Sequence, residues 1–187
     1  MAPAPEKKLW TARHIVYMCT YILVFCIACS ELGLVSQQLH NGGDCNGGDC
    51  DYPGGNGLWK HDLGLLLFTV IWTLLVCLGH WKVNLFIGTF ITFIAAVFWG
   101  TGAGVAFSVT PFKSSTCGLP ASHFNAKWAP FVSQCSRIVA IEGLAWANWA
   151  LLTVLFFFQL SDMLTCTVAR HEFYDLPPKG EEIKEKA

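Results

Sequence analysis

The chain has 187 residues, of which 53% are hydrophobic, 14% aromatic and only 13% charged. A soluble domain carries about 25% charged residues, so this balance points to a membrane protein. A formal net charge of -1, with no glycine-rich phosphate loop and no zinc-type cysteine pattern, gives no reason to expect nucleic acid, a metal or another cofactor.

Residues 1–13 are short and polar, with Lys7, Lys8 and Arg13, and lead into an apolar run over 14–37. A secretory signal peptide would have a shorter apolar core and a small-residue cleavage site, so this run reads as an uncleaved first transmembrane helix. Three further runs follow at 62–80, 83–108 and 136–160. Each can cross a hydrocarbon core of about 30 Å, which takes about 20 helical residues. Residues 161–187 turn polar, pass Pro177-Pro178 and end in mixed Glu and Lys, a short disordered tail. The expected fold is all-α: a four-helix transmembrane bundle over 14–160, in one domain.

Four spans place both termini on one side. Lys7, Lys8, Arg13, Lys82, Arg170, Lys179, Lys184 and Lys186 fall on that side, against Lys60, Lys113, Lys127 and Arg137 opposite. The positive-inside rule then makes the termini cytosolic. Trp10, Trp59, Trp81 and Trp128 fall near the expected interfaces, where an indole keeps its N–H wet.

The first outer loop, about 40–61, holds a tandem pentapeptide ending in Cys45 and Cys50; the second, about 110–135, holds Cys117 and Cys135. Four cysteines in an oxidising compartment predict two disulfides. Cys45 with Cys50 and Cys117 with Cys135 would each close one loop, although three pairings are open. Asp44, Asp49 and Asp51 lack the closing glutamate of an EF-hand and read as a solvated glycine-rich turn. Cys166, just past the fourth span, is a candidate for palmitoylation.

The third span carries small residues at every fourth position: Gly88, Thr92, Ala96, Gly100, Gly104 and Ser108. Read as one helical face, this row is a seam for close packing, where leucine at Gly100 or Gly104 would obstruct backbone contact. It serves the bundle itself or a partner.

Glu31 and Glu142 lie inside the first and fourth spans at similar expected depth. A lone ionised carboxylate near the midplane costs about 2.5–3.5 kcal/mol, which calls for a partner such as Arg137, His40, Gln37 or Gln38. Asn148 reads as hydrogen-bonding glue between helices. A proton- or cation-coupled transport subunit using Glu31 and Glu142 is one functional reading.

A second follows from a cysteine pair in each outer loop, which resembles the quinone-linked thiol-disulfide oxidoreductases of bacterial inner membranes. Here four residues separate the first-loop pair and no arginine flanks it, whereas a redox-active pair is Cys-x-x-Cys. Cys26-Ile-Ala-Cys29 has that spacing but lies within the first span.

The leading reading, the third, comes from a second resemblance. Four spans, the basic entry at Arg13, the segment Phe68-Thr-Val-Ile-Trp-Thr-Leu75, and a cysteine opening the tryptophan-rich fourth span from Cys135 to Trp149 resemble the MARVEL-type tetraspan proteins, especially small fungal ones. Claudin-like tetraspans share Gly57-Leu58-Trp59 but not the cysteine pair that should follow. The MARVEL resemblance implies a non-enzymatic protein of membrane organisation or vesicle trafficking. It would sit in the plasma membrane or secretory-pathway membranes and partner lipids and other membrane proteins as a homo- or hetero-oligomer.

Overall fold

A computed structural model describes the backbone of residues 6–41, 44–46, 49–51, 57–80 and 83–174, and the side chains of 15–40, 57–80 and 83–165. Four helices dominate: α1 (Glu6–Asn41), α2 (Leu58–Gly79), α3 (Leu85–Val109) and α4 (Cys135–Tyr174). All four are long and apolar enough to cross a membrane, over Ile15–His40, Leu58–Gly79, Leu85–Val109 and Ala129–Thr165.

Local chemistry sets where they begin and end. Gly57, at φ 68°, turns the chain into α2 in a left-handed conformation open to glycine at no steric cost. Asn84 caps α3, its side chain accepting from the Phe86 N–H at 3.4 Å. Thr110, extended before Pro111, stops α3. The chain past Leu160 differs from expectation, because α4 runs on to Tyr174. No glycine or proline interrupts it before Pro177, and a helix has no reason to end where the lipid does.

One departure from an all-α chain lies in the tandem pentapeptide. Short strands β1 (Asp44–Asn46) and β2 (Asp49–Asp51) pair antiparallel with Cys45 opposite Cys50.

Helix α1 packs on α2 and α4, and α3 packs on α2 and α4, which closes a four-sided bundle. The direct contacts fix an antiparallel alternation: Tyr17 of α1 meets Asp162 of α4 and Gln38 of α1 meets Gln134, the residue just before α4, while Thr73 meets Trp99 and Leu66 lies against Gly102 across α2 and α3. Residue 6 and residue 174 therefore lie towards one end, the terminal end. Residues 41 and 57 and the segment 110–134 lie at the other, the loop end.

The buried positions repeat every three or four residues. On α1 they are Tyr21, Val24, Ala28, Glu31, Val35 and Gln38; on α4 they include Ile138, Ile141, Ala145, Asn148, Leu152, Leu155 and Gln159. A spacing of 3.5 keeps one seam facing inward along a left-handed supercoil.

The same arithmetic corrects the small-residue row of α3. A step of four residues turns about 40° past a full turn, so five steps carry the row about 200° around the helix. Thr92 and Ala96 are buried, Gly88, Gly100 and Gly104 are half-buried, and Ser108 is exposed. The inward face belongs instead to Thr89, Thr92, Ala95, Ala96, Trp99, Gly102, Ala103 and Ala106. Trp99 anchors that face, its Nε1–H donating to Thr73 Oγ1 at 2.9 Å. Trp99→Phe should lower stability by about 1 kcal/mol from the lost hydrogen bond. Thermal unfolding in micelles should show Thr73→Val causing a similar loss, with the double variant losing less than the sum.

Candidate functional site

The core stripes carry three buried polar side chains in the loop-end half of the bundle: Glu31 from α1, Asp62 from α2 and Asn148 from α4. Glu31 and Asn148 are fully buried and Asp62 nearly so. Neither oxygen of either carboxyl, nor either polar atom of the Asn148 amide, has a hydrogen-bond partner among the described residues.

Each residue is inward for a simple reason. Glu31 occupies a core position between Ala28 and Val35, and Asn148 one between Ala145 and Leu152. Asp62 follows Trp59 by three residues and precedes Leu66 by four, the period of the buried stripe on α2. Sequence reasoning treated Asp62 as the edge of a span and missed it, although that spacing was the available signal.

Towards the loop end, Gln38 donates to Gln134 at 2.6 Å. Trp59 meets Trp128 edge to face, at 6.3 Å between ring centres. Both tryptophans are buried, which corrects their expected place at a wet interface. They belong to an aromatic cap in which Phe112 contacts Phe124 and Trp128 at 5.0 and 5.4 Å. The Cys117–Cys135 disulfide, with a Cα separation of 5.5 Å, ties this cap to the start of α4. This is one of the two expected bridges. The Cys45 and Cys50 side chains lie outside the described residues, as do those of Trp10, Trp81, Asp44, Asp49, Asp51 and Cys166. Cys26 and Cys29 are unbridged and exposed on α1.

Glu142 does not share the site with Glu31. It follows Ile141, which holds the core position, and so points about 100° away around α4. There it meets Lys113 Nζ at 3.9 Å and accepts from Thr110 Oγ1 at 3.5 Å. The expected partnership with Arg137 is replaced by one with the segment that follows α3.

A second polar group lies at the terminal end. Gln159 donates to the Tyr21 hydroxyl at 2.8 Å, Tyr21 stacks on His80 at 4.2 Å, and Tyr17 donates to Asp162 at 2.7 Å. These side chains flank a recess of about 510 Å³ whose lining includes Met18, Val83, Asn84, Leu85 and Gly88. Along α1, ten residues or about 15 Å separate Glu31 from Tyr21. The buried positions between them on α1 are the apolar Val24 and Ala28, so the two polar groups are distinct.

On the periphery, Trp146 and Trp149 are 37% and 38% exposed and meet edge to face at 5.3 Å. The glycines separate into two kinds. A Cβ added to Gly102 would sit 2.6 Å from Leu66 Cδ2, and one added to Gly100 would sit 2.8 Å from the Trp149 ring. One added to Gly88 or Gly104 would meet nothing within 4 Å. Close packing therefore falls on Gly100 and Gly102, and the expected obstruction at Gly104 does not arise inside the bundle.

No protein-family model, characterised protein sequence or solved structure matches the chain. Its four apolar helices place it among integral, multi-pass membrane proteins.

Proposed function

We propose that the chain is a non-enzymatic tetraspan organiser of the MARVEL-like kind, with cytosolic termini. On this reading it acts in plasma or secretory-pathway membranes by lateral packing with lipids and with other membrane proteins. What supports the reading is the outward turn of the α3 row. From Gly104 to Ser108 the row leaves the core, with open space beside Gly104 and Ser108 exposed. In lipid, such small residues let the backbone of another helix approach closely, and that contact replaces the missing hydrophobic drive. Outward glycines on the other helices, Gly33, Gly64 and Gly143, likewise meet nothing within 4 Å.

Gly104→Leu tests this, because a Cβ added there meets nothing within 4 Å in its own bundle. Native mass spectrometry of protein extracted with its lipids should find wild type in assemblies. Gly104→Leu and Ser108→Leu should move it towards monomer, with the unfolding midpoint of the monomer unchanged. A wild type that is monomeric in native lipid, or an assembly indifferent to both changes, counts against the proposal.

A further inference from the structure

We propose that the terminal-end recess binds one neutral membrane lipid headed by a hydroxyl, which donates to the open carbonyl oxygen of Gln159. Three observations carry it. Gln159 is 5% exposed and lines the recess. Its Nε2 donates to the Tyr21 hydroxyl at 2.8 Å, while its Oε1 has no hydrogen-bond partner among the described residues. A buried acceptor left open calls for a donor from whatever fills the space beside it. Next, the space has an apolar extension. A second recess of about 200 Å³ shares Tyr21, His80, Val83 and Gly88 with the first and is walled further by Leu75, Val76 and Ile91. Glycine keeps both open, since a Cβ added to Gly79 or Gly88 would meet nothing within 4 Å. Finally, no lysine, arginine, aspartate or glutamate lines either recess among the described residues.

These features select the occupant. The lining of the larger recess lies within about two helical turns of the ends of the apolar spans, the level at which lipid headgroups meet acyl chains. Its volume of about 510 Å³ falls within the range of about 300–1,000 Å³ usual for small-molecule sites. A phosphate head would enter without a basic partner, whereas a neutral head needs none. A ketone or ester would bring only another acceptor to Gln159 Oε1, whereas a hydroxyl brings the missing proton. Sterols and diacylglycerols share that chemistry, one hydroxyl on an apolar body. The polar wall is already held in place: His80 Nδ1 donates to the Cys77 carbonyl at 2.6 Å, Tyr21 stacks on His80, and Gln159 bonds Tyr21. The recess lies at the opposite end of α3 from Gly104 and Ser108, so the site stands whether or not the chain is an organiser.

The test uses the full chain in phosphatidylcholine nanodiscs and reads the thermal midpoint as lipid is added. One arm adds cholesterol and the other dioleoylglycerol, each beside its own methyl ether, which keeps the apolar body but has no proton to donate. A hydroxylated lipid at a hundredfold excess over Kd should raise the midpoint by about 5–10 °C, saturably. A rise in one arm identifies the source as sterol or acylglycerol, and a rise in both shows that the shared hydroxyl suffices. Gln159→Leu, which removes the acceptor, should weaken the apparent affinity about fivefold. Gly88→Leu, which puts a side chain on the recess wall, should abolish the response. If one variant does not fold, the other decides. A wild type that responds in neither arm overturns the site. A methyl ether as effective as its parent lipid, or a response unchanged in the folded variants, overturns it equally.

Discussion

Cys117→Ser should lower the stability of the folded protein by about 3 kcal/mol, the entropy released when a loop of this size is no longer closed in the unfolded chain. The bridge spans 18 residues and ends on Cys135, the buried first residue of α4. Within that span lie Phe124, Trp128 and Phe131, which with Phe112 roof the loop end of the bundle. Opening the bridge lengthens the tether without removing these contacts, so the loss should come chiefly through the unfolded state. The expected result is a fall in thermal midpoint of about 6–12 °C for a chain of this length. Reducing agent should bring wild type down towards the variant. A wild type insensitive to reductant, beside a variant that melts with it, would show that the aromatic contacts alone hold the cap.

The architecture was legible because it rests on long runs of composition: four apolar stretches, each over 18 residues, yield four helices that differ from expectation mainly at their ends. The faces were harder to read. Every residue inside an apolar run is a candidate for either lipid or core, and hydrophobicity cannot separate the two when both environments are apolar. Polar residues break that ambiguity only if their helical phase is followed. Glu31, Asp62 and Asn148 fall on the 3.5-residue stripes of their helices and turn inward, whereas Glu142 falls one residue off its stripe and turns to Lys113. Trp59 and Trp128 look like interfacial tryptophans in the sequence because they sit near span ends. What buries them is the cap formed by residues 110–134, a tertiary event with no local signature. The row from Gly88 to Ser108 misled for a geometric reason, since a repeat of four is not the repeat of a supercoiled helix, and only part of it stays on one face.

That geometry makes Gly102, which lies off the row, the most demanding glycine of α3. A Cβ there would approach Leu66 Cδ2 to 2.6 Å and Cγ to 3.3 Å, and Leu66 is fully buried on α2 with no open side into which to retreat. Alanine at an exposed helical position gains up to about 1 kcal/mol over glycine. At Gly102 the overpacking should outweigh it, for a net loss of about 1–2 kcal/mol. Gly102→Leu should lose more, by forcing α2 and α3 apart where Trp99 meets Thr73. Gly100→Ala meets Trp149 at 2.8 Å, but that ring is partly exposed and can swing outward, so the net change should be near zero. Gly104→Ala, with nothing in reach, should be neutral or stabilising. The predicted order of unfolding midpoints is therefore Gly104→Ala highest, then Gly100→Ala, then Gly102→Ala. Leu66→Ala should recover part of the Gly102→Ala loss, because the cavity it opens accepts the new methyl. A Gly102→Ala protein that melts at or above wild type would falsify the close α2–α3 contact on which this order depends.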